Sequence, residues 1–140
     1  MMIQIMSYDG KEVMIIDNKI KVLVVEPECL PYEKEISNTL KEKQNIVGGY
    51  IEYTRVDNDE SALLICNEEG KLINLPFNRE IGHDVIAGTF LIVGDDQLTG
   101  EDVSLTKTQI EKYKNRFDMS SIEKTHKIIK EIKENNEFEL

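Results

Sequence analysis

The sequence is short of the residues that most chemistry needs. Two cysteines, Cys29 and Cys66, give neither a disulfide framework nor a metal-ligand spacing. Two histidines, His83 and His126, lie far apart, which counts against a metal centre of three or four converging ligands. No apolar run approaches the ~20 residues that a membrane-spanning helix requires. Met1 to Met6 carries neither the basic residues nor the cleavage site of a secretory signal. These absences predict a cytoplasmic protein with reduced thiols, no metal and no cofactor.

Positive charge is also scarce. There are 17 Lys and Arg against 27 Asp and Glu, a net charge of −10. Residues 106–140 hold eight Lys/Arg against seven Asp/Glu, whereas residues 1–105 hold nine against twenty. The acidity therefore belongs to the β-rich part. Phosphate neutralisation needs clustered Lys and Arg, so nucleic-acid binding is disfavoured. An acidic surface suits a basic protein partner, or it serves solubility alone.

At 140 residues the chain is long enough for one domain with a real core. Asp9-Gly10 between apolar runs predicts a hairpin, expected to extend a sheet edge. Val22 to Val25 is apolar at consecutive positions, as in a central strand covered on both faces. Pro31 opens an expected helix through Ile36, Leu40 and Val47, closed by Gly48-Gly49. Tyr50 to Val56 alternates, and Ala62 to Cys66 is a continuous apolar run. Asn67 to Gly70 reads as a tight turn with Gly70 at positive φ. Leu72 to Leu75 is expected as a short strand, Phe77 to Asp84 as irregular chain, and Val85 to Val93 as one strand with a bulge or close approach at Gly88. Thr106 to Gln109 and Ser120 to Glu123 have capping-box spacing ahead of two helices. The second carries Ile122, Ile128, Ile129 and Ile132 as one stripe to about Asn135. The expected class is α+β: a mostly antiparallel sheet with one embedded helix, two C-terminal helices, and the helices on one face.

The stretch Gln44 to Arg79 holds the strongest polar cluster: Asn67, Glu68, Glu69, Lys71, Asn78 and Arg79. Its two halves flank a segment spanning only about 13 Å when extended, so a modest ligand reaches both. Arg79 suits a phosphate or carboxylate, and Asn78 a polar edge. The plainer alternative is a β-turn followed by a pinned loop. His83-Asp84 invites a general-base reading, but adjacent strand residues point apart. The acidic loop Asp95 to Asp102 lacks calcium-loop spacing. Cys66 reads as a small buried hydrophobe.

K-V-L-V-V-E-P (Lys21 to Pro27), L-K-E-K-Q-N-I-V-G-G-Y-I-E (Leu40 to Glu52), C-N-E-E-G-K-L (Cys66 to Leu72), L-P-F-N-R (Leu75 to Arg79), I-A-G-T-F-L-I-V-G (Ile86 to Gly94) and S-L-T…I-E-K-Y…R-F (Ser104 to Phe117) occur in one order. The chain thereby resembles domain of unknown function family 3846, over roughly Lys21 to Phe117. Residues 1–20, as a hairpin, and 118–140, as a helix, look like additions. The resemblance implies a setting and no catalytic residue: an accessory protein of phages or conjugative elements, in a bacterial host cell. The expected function is non-enzymatic binding of a host protein, with inhibition of a defence system as the natural example. The alternative is a binder or enzyme of a small phosphorylated or nucleotide-like ligand near Asn67 and Arg79. Self-association through the C-terminal helix is a further expectation.

Overall fold

A computed structural model describes residues 2–82 and 84–137. Among the described residues, ten strands and three helices form an α+β architecture in which every strand pairing is antiparallel. β1 (Met2–Tyr8) and β2 (Lys11–Asp17) turn through Asp9 and Gly10, both at positive φ. The hairpin is present as expected, but it forms a two-stranded sheet of its own and extends no edge.

The main sheet has the order β4-β3-β9-β6-β5, with β3 (Lys19–Val25), β4 (Tyr32–Ser37), β5 (Ile51–Thr54), β6 (Ala62–Asn67) and β9 (Phe90–Asp95). β10 (Asp102–Val103) pairs with β9. Consecutive residues of β3, β6 and β9 are buried, so each strand needs cover on both faces. On one face Leu23, Val25, Leu64, Phe90 and Ile92 pack with Ile110, Tyr113 and Phe117 of α2 (Lys107–Arg116) and its C-cap. On the other, Val22, Val24, Ile65, Leu91 and Val93 pack with Ile46 of α1 (Leu40–Val47). The helices thus lie on both faces, not one.

Three elements differ from the sequence reading. Tyr32 to Ser37 is a strand, paired on β3 with Ile36 opposite Ile20; the helix starts only at Leu40. Thr39 is its N-cap, accepting from the Glu42 amide, so the T-x-x-E spacing was the signal to follow. Residues 71–74 are a turn: Leu75 N donates to Gly70 O, and Asn74 has φ 58°. The segment read as irregular is a hairpin of β7 (Phe77–Ile81) and β8 (Asp84–Ala87), and β8 is separate from β9. Gly88 makes that break, with φ 86° and a Cβ position 2.6 Å from Leu75 Cδ1. Gly70 is absent from the residues with positive φ; its need is space, since a Cβ there would lie 2.6 Å from Ala87 O.

α3 (Met119–Glu137) packs its first half on β7. Its N-terminus is capped by Asp118, which accepts from the Ser120 and Ser121 amides, and not by Ser120 as the spacing suggested. The capping box of Thr106 and Gln109 is present. Among the described residues no helix is long and apolar enough to cross a membrane.

Candidate functional site

The structure divides the polar cluster in two. Asn67, at the end of β6, is buried; its Nδ2 donates to Val47 O and its Oδ1 accepts from the Glu69 amide. It ties the turn to the end of α1, where Gly48 closes the helix in the left-handed region. Glu68, Glu69 and Lys71 stand exposed on that turn. With Glu52, Asn67 and Asp84 they line a polar cavity of about 160 Å³. Lys71 pairs with Asp84 across it and holds that carboxyl below its ordinary range. Cys66 lines the wall, and burial pushes its thiol up to about 11, so it stays protonated and inert.

Asn78 and Arg79 lie elsewhere and face inward. Asn78 Nδ2 donates to Val25 O and Gly88 O, at 2.8 and 2.9 Å. Arg79 is 0 % exposed. Its Nε and Nη2 donate to Phe117 O, Nη2 also to Cys29 O, and Nη1 to Asn78 Oδ1 and Glu26 O. A guanidinium has five N–H groups, and these five bonds use them. Burial lowers the Arg79 pKa, and the nearby Glu28 opposes that. The negative end of α2 faces the cation, since Phe117 is its C-cap. Neither residue lines the polar cavity. Of the His83-Asp84 pair, His83 lies outside the described residues, and Asp84 is held by Lys71 and the Val85 amide.

Three charged clusters escaped the sequence reading because their members are far apart in the chain. Lys43 Nζ lies 2.5 Å from Asp102 Oδ2, which also accepts from Tyr53 OH at 2.7 Å. Burial, then the hydrogen bond to Asp102, raises the Tyr53 pKa. Glu80 is buried in β7, bridged to Arg116 and Lys124. Asp59 accepts from the Ser61 amide and hydroxyl, Tyr113 OH and Lys112 Nζ. Burial alone would raise its carboxyl; the bonds from Ser61, Tyr113 and Lys112 outweigh that and hold it far below the usual range.

That depression sets a pH dependence. A folded-state pKa below the unfolded value contributes stability that is fully present above about pH 4. It is lost as the pH falls from there through the folded value. Urea unfolding at pH 7 and pH 3 is expected to show a smaller acid loss in Asp59→Asn than in the parent. Equal losses in both would remove Asp59 from the account.

Among the described residues, the β9–β10 loop carries the most exposed large apolar side chain. Leu98 is 97 % exposed, yet the loop is built by its own bonds. Asp96 Oδ1 accepts from the Leu98 and Thr99 amides, Asp96 N donates to Glu101 O, and Gly100 N donates to Asp96 O. Gln97 Nε2 donates to Glu60 O, joining the neighbouring acidic turn. Asp95 pairs with Arg55 at 2.8 Å. Leu98 therefore sits on an ordered loop among Asp96, Glu101 and Glu60.

Residues 20–118 match the model of a family described as Domain of unknown function (DUF3846). The match agrees to within one residue at each end with the stretch that carries the resemblance. No curated protein and no solved structure matches the chain.

Proposed function

We propose that this chain, which belongs to the DUF3846 family, is a non-enzymatic accessory protein of a phage or mobile element. It acts in the bacterial cytoplasm by binding a host protein, and inhibition of a defence system is the task such binding would serve.

One observation carries this reading: the ordered acidic loop that holds Leu98 in water. An apolar side chain on a fixed backbone loses little freedom when a partner's pocket receives it. The surrounding Asp96, Glu101 and Glu60 select a pocket with a basic rim. For the competing reading, a small phosphorylated ligand at Asn67 and Arg79, Arg79 offers no free donor, because all five are bonded within the protein, and Lys71 is paired with Asp84.

The test is recovery of the tagged protein from its host, with native mass spectrometry of what it retains. Leu98→Ser is expected to lower retention of a host protein by about tenfold, a typical loss for a central contact residue. Its melting temperature should not change, since Leu98 is almost wholly in water. Glu60→Lys/Glu101→Lys should act in the same direction. Equal retention by parent and both variants would overturn the reading.

A further inference from the structure

We propose that the chain forms a symmetric dimer through the face that runs from the 67–71 turn, across the groove beside α3, to the outer strip of that helix. The inference is independent of the host-protein reading, which concerns the Leu98 loop.

α3 carries more apolar residues than its own protein covers. Ser121, Ile122 and Thr125 are buried against the body. The same stripe continues at helical spacing through Ile128 and Ile129, which are half-buried, to Ile132, which is 50 % exposed. Over this second half the helix stands away from the β7–β8 hairpin. A groove of about 340 Å³ opens between them, floored by Phe77, Val85, Ile128, Ile129 and Ile132. Phe77 is itself 45 % exposed, and Leu72 on the adjoining turn 84 %. Contiguous exposed apolar surface of this kind marks an interface.

The flanks of the groove name the occupant. On one side it shares Lys71, Asp84 and Val85 with the polar cavity, where among the described residues Glu52, Glu68, Glu69 and Asp84 face a single cation, Lys71. On the other it shares Ile129 and Lys133 with the outer strip of α3, where two lysines, Lys130 and Lys133, face one carboxylate, Glu134. His126 is held by Glu28, and Lys130 stands 4.0 Å from Glu134 with both largely exposed. The order across the face is acid, apolar, base. A uniformly basic partner would match one flank and be repelled by the other, and an acidic partner likewise. A second copy related by a two-fold axis through the groove reverses the order. Glu68 and Glu69 of each copy then meet Lys130 and Lys133 of the other at both ends, with the isoleucines and Phe77 meeting at the axis.

Sedimentation velocity at micromolar concentration tests this on the full chain. The parent is expected to sediment as a dimer. Ile132→Lys should be monomeric with an unchanged circular-dichroism spectrum, since its side chain is half in water. Glu68→Lys/Glu69→Lys puts like charges at both ends of the interface, and so does Lys130→Glu/Lys133→Glu. Each should weaken the dimer by about tenfold or more. Mixed in equal amounts, the two variants should recover a heterodimer, because every rim contact is again opposite in sign. A parent that stays monomeric, variants that fail to recover on mixing, or a different protein seated on this face in a one-to-one complex would each overturn the proposal.

Discussion

Arg79→Met is expected to destabilise the protein by about 4 kcal/mol or more, enough to approach the whole stability of a domain this size. The side chain is fully buried, and its loss strands Phe117 O and Asn78 Oδ1 in the interior and Cys29 O at its margin, while Glu26 O keeps the Cys29 amide. Each buried acceptor left without a partner costs about 1–3 kcal/mol. The cost also spreads. Glu26 and Cys29 belong to the loop between β3 and β4, Phe117 ends α2, and Asn78 in turn holds Val25 O and Gly88 O. One guanidinium thus joins the loop after β3, the break between β8 and β9, and the end of α2.

Arg79→Lys should be nearly as damaging, because an ammonium lacks the planar fork that reaches four acceptors in different directions. Equilibrium denaturation in urea measures both. A loss below about 1 kcal/mol in Arg79→Met would show that water replaces the guanidinium and that it is not the joint described. The same geometry bears on ligand binding: any loss of a small anion in Arg79 variants should track the loss of fold.

What the sequence made legible follows from what apolar patterning records. The consecutive apolar residues of β3, β6 and β9 announce strands covered on both faces, and those strands form the centre of the sheet. Turn and cap chemistry was equally direct at Asp9-Gly10, Gly48 and Thr106, where local geometry admits few residue types. β4 was hidden because Glu33, Lys34 and Glu35 suit a helix surface as well as an exposed edge strand. Only Ile36 in that strand is buried. β7 was hidden for the opposite reason. Asn78, Arg79 and Glu80 are buried in a row, satisfied by hydrogen bonds and ion pairs and not by apolar neighbours, so they read as loop. The polar cluster was therefore legible as chemistry but not as orientation. Glu68, Glu69 and Lys71 face outward, while Asn67, Asn78 and Arg79 face inward. The isoleucine stripe of α3 was legible in full, but the groove it borders needs the β7–β8 hairpin, which carried no strand signal.

On the opposite face of the sheet, Lys43→Met is expected to cost about 3–5 kcal/mol, and Asp102→Leu a similar amount. Each leaves one member of a buried ion pair without its partner. The two side chains are 8 % and 7 % exposed. The double variant Lys43→Met/Asp102→Leu should regain most of the loss and come within about 1 kcal/mol of the parent, because removing both charges removes the desolvation penalty together with the attraction. Tyr53 loses its acceptor in the double variant, but the residue is 42 % exposed and its hydroxyl can turn to water. Two single variants that each cost under about 1 kcal/mol would mean that the pair is solvated in practice. The position of Asp102 gives the pair a second consequence. It closes the Leu98 loop, whose other end is fixed where Asp95 N donates to Ser61 O. Releasing Asp102 from Lys43 frees one end of that loop without touching Leu98. Lys43→Met should then lower partner retention at a temperature where the chain is still folded, and the double variant should restore it along with stability. Retention that recovers only when Lys43 itself is present would instead place the lysine in the contact.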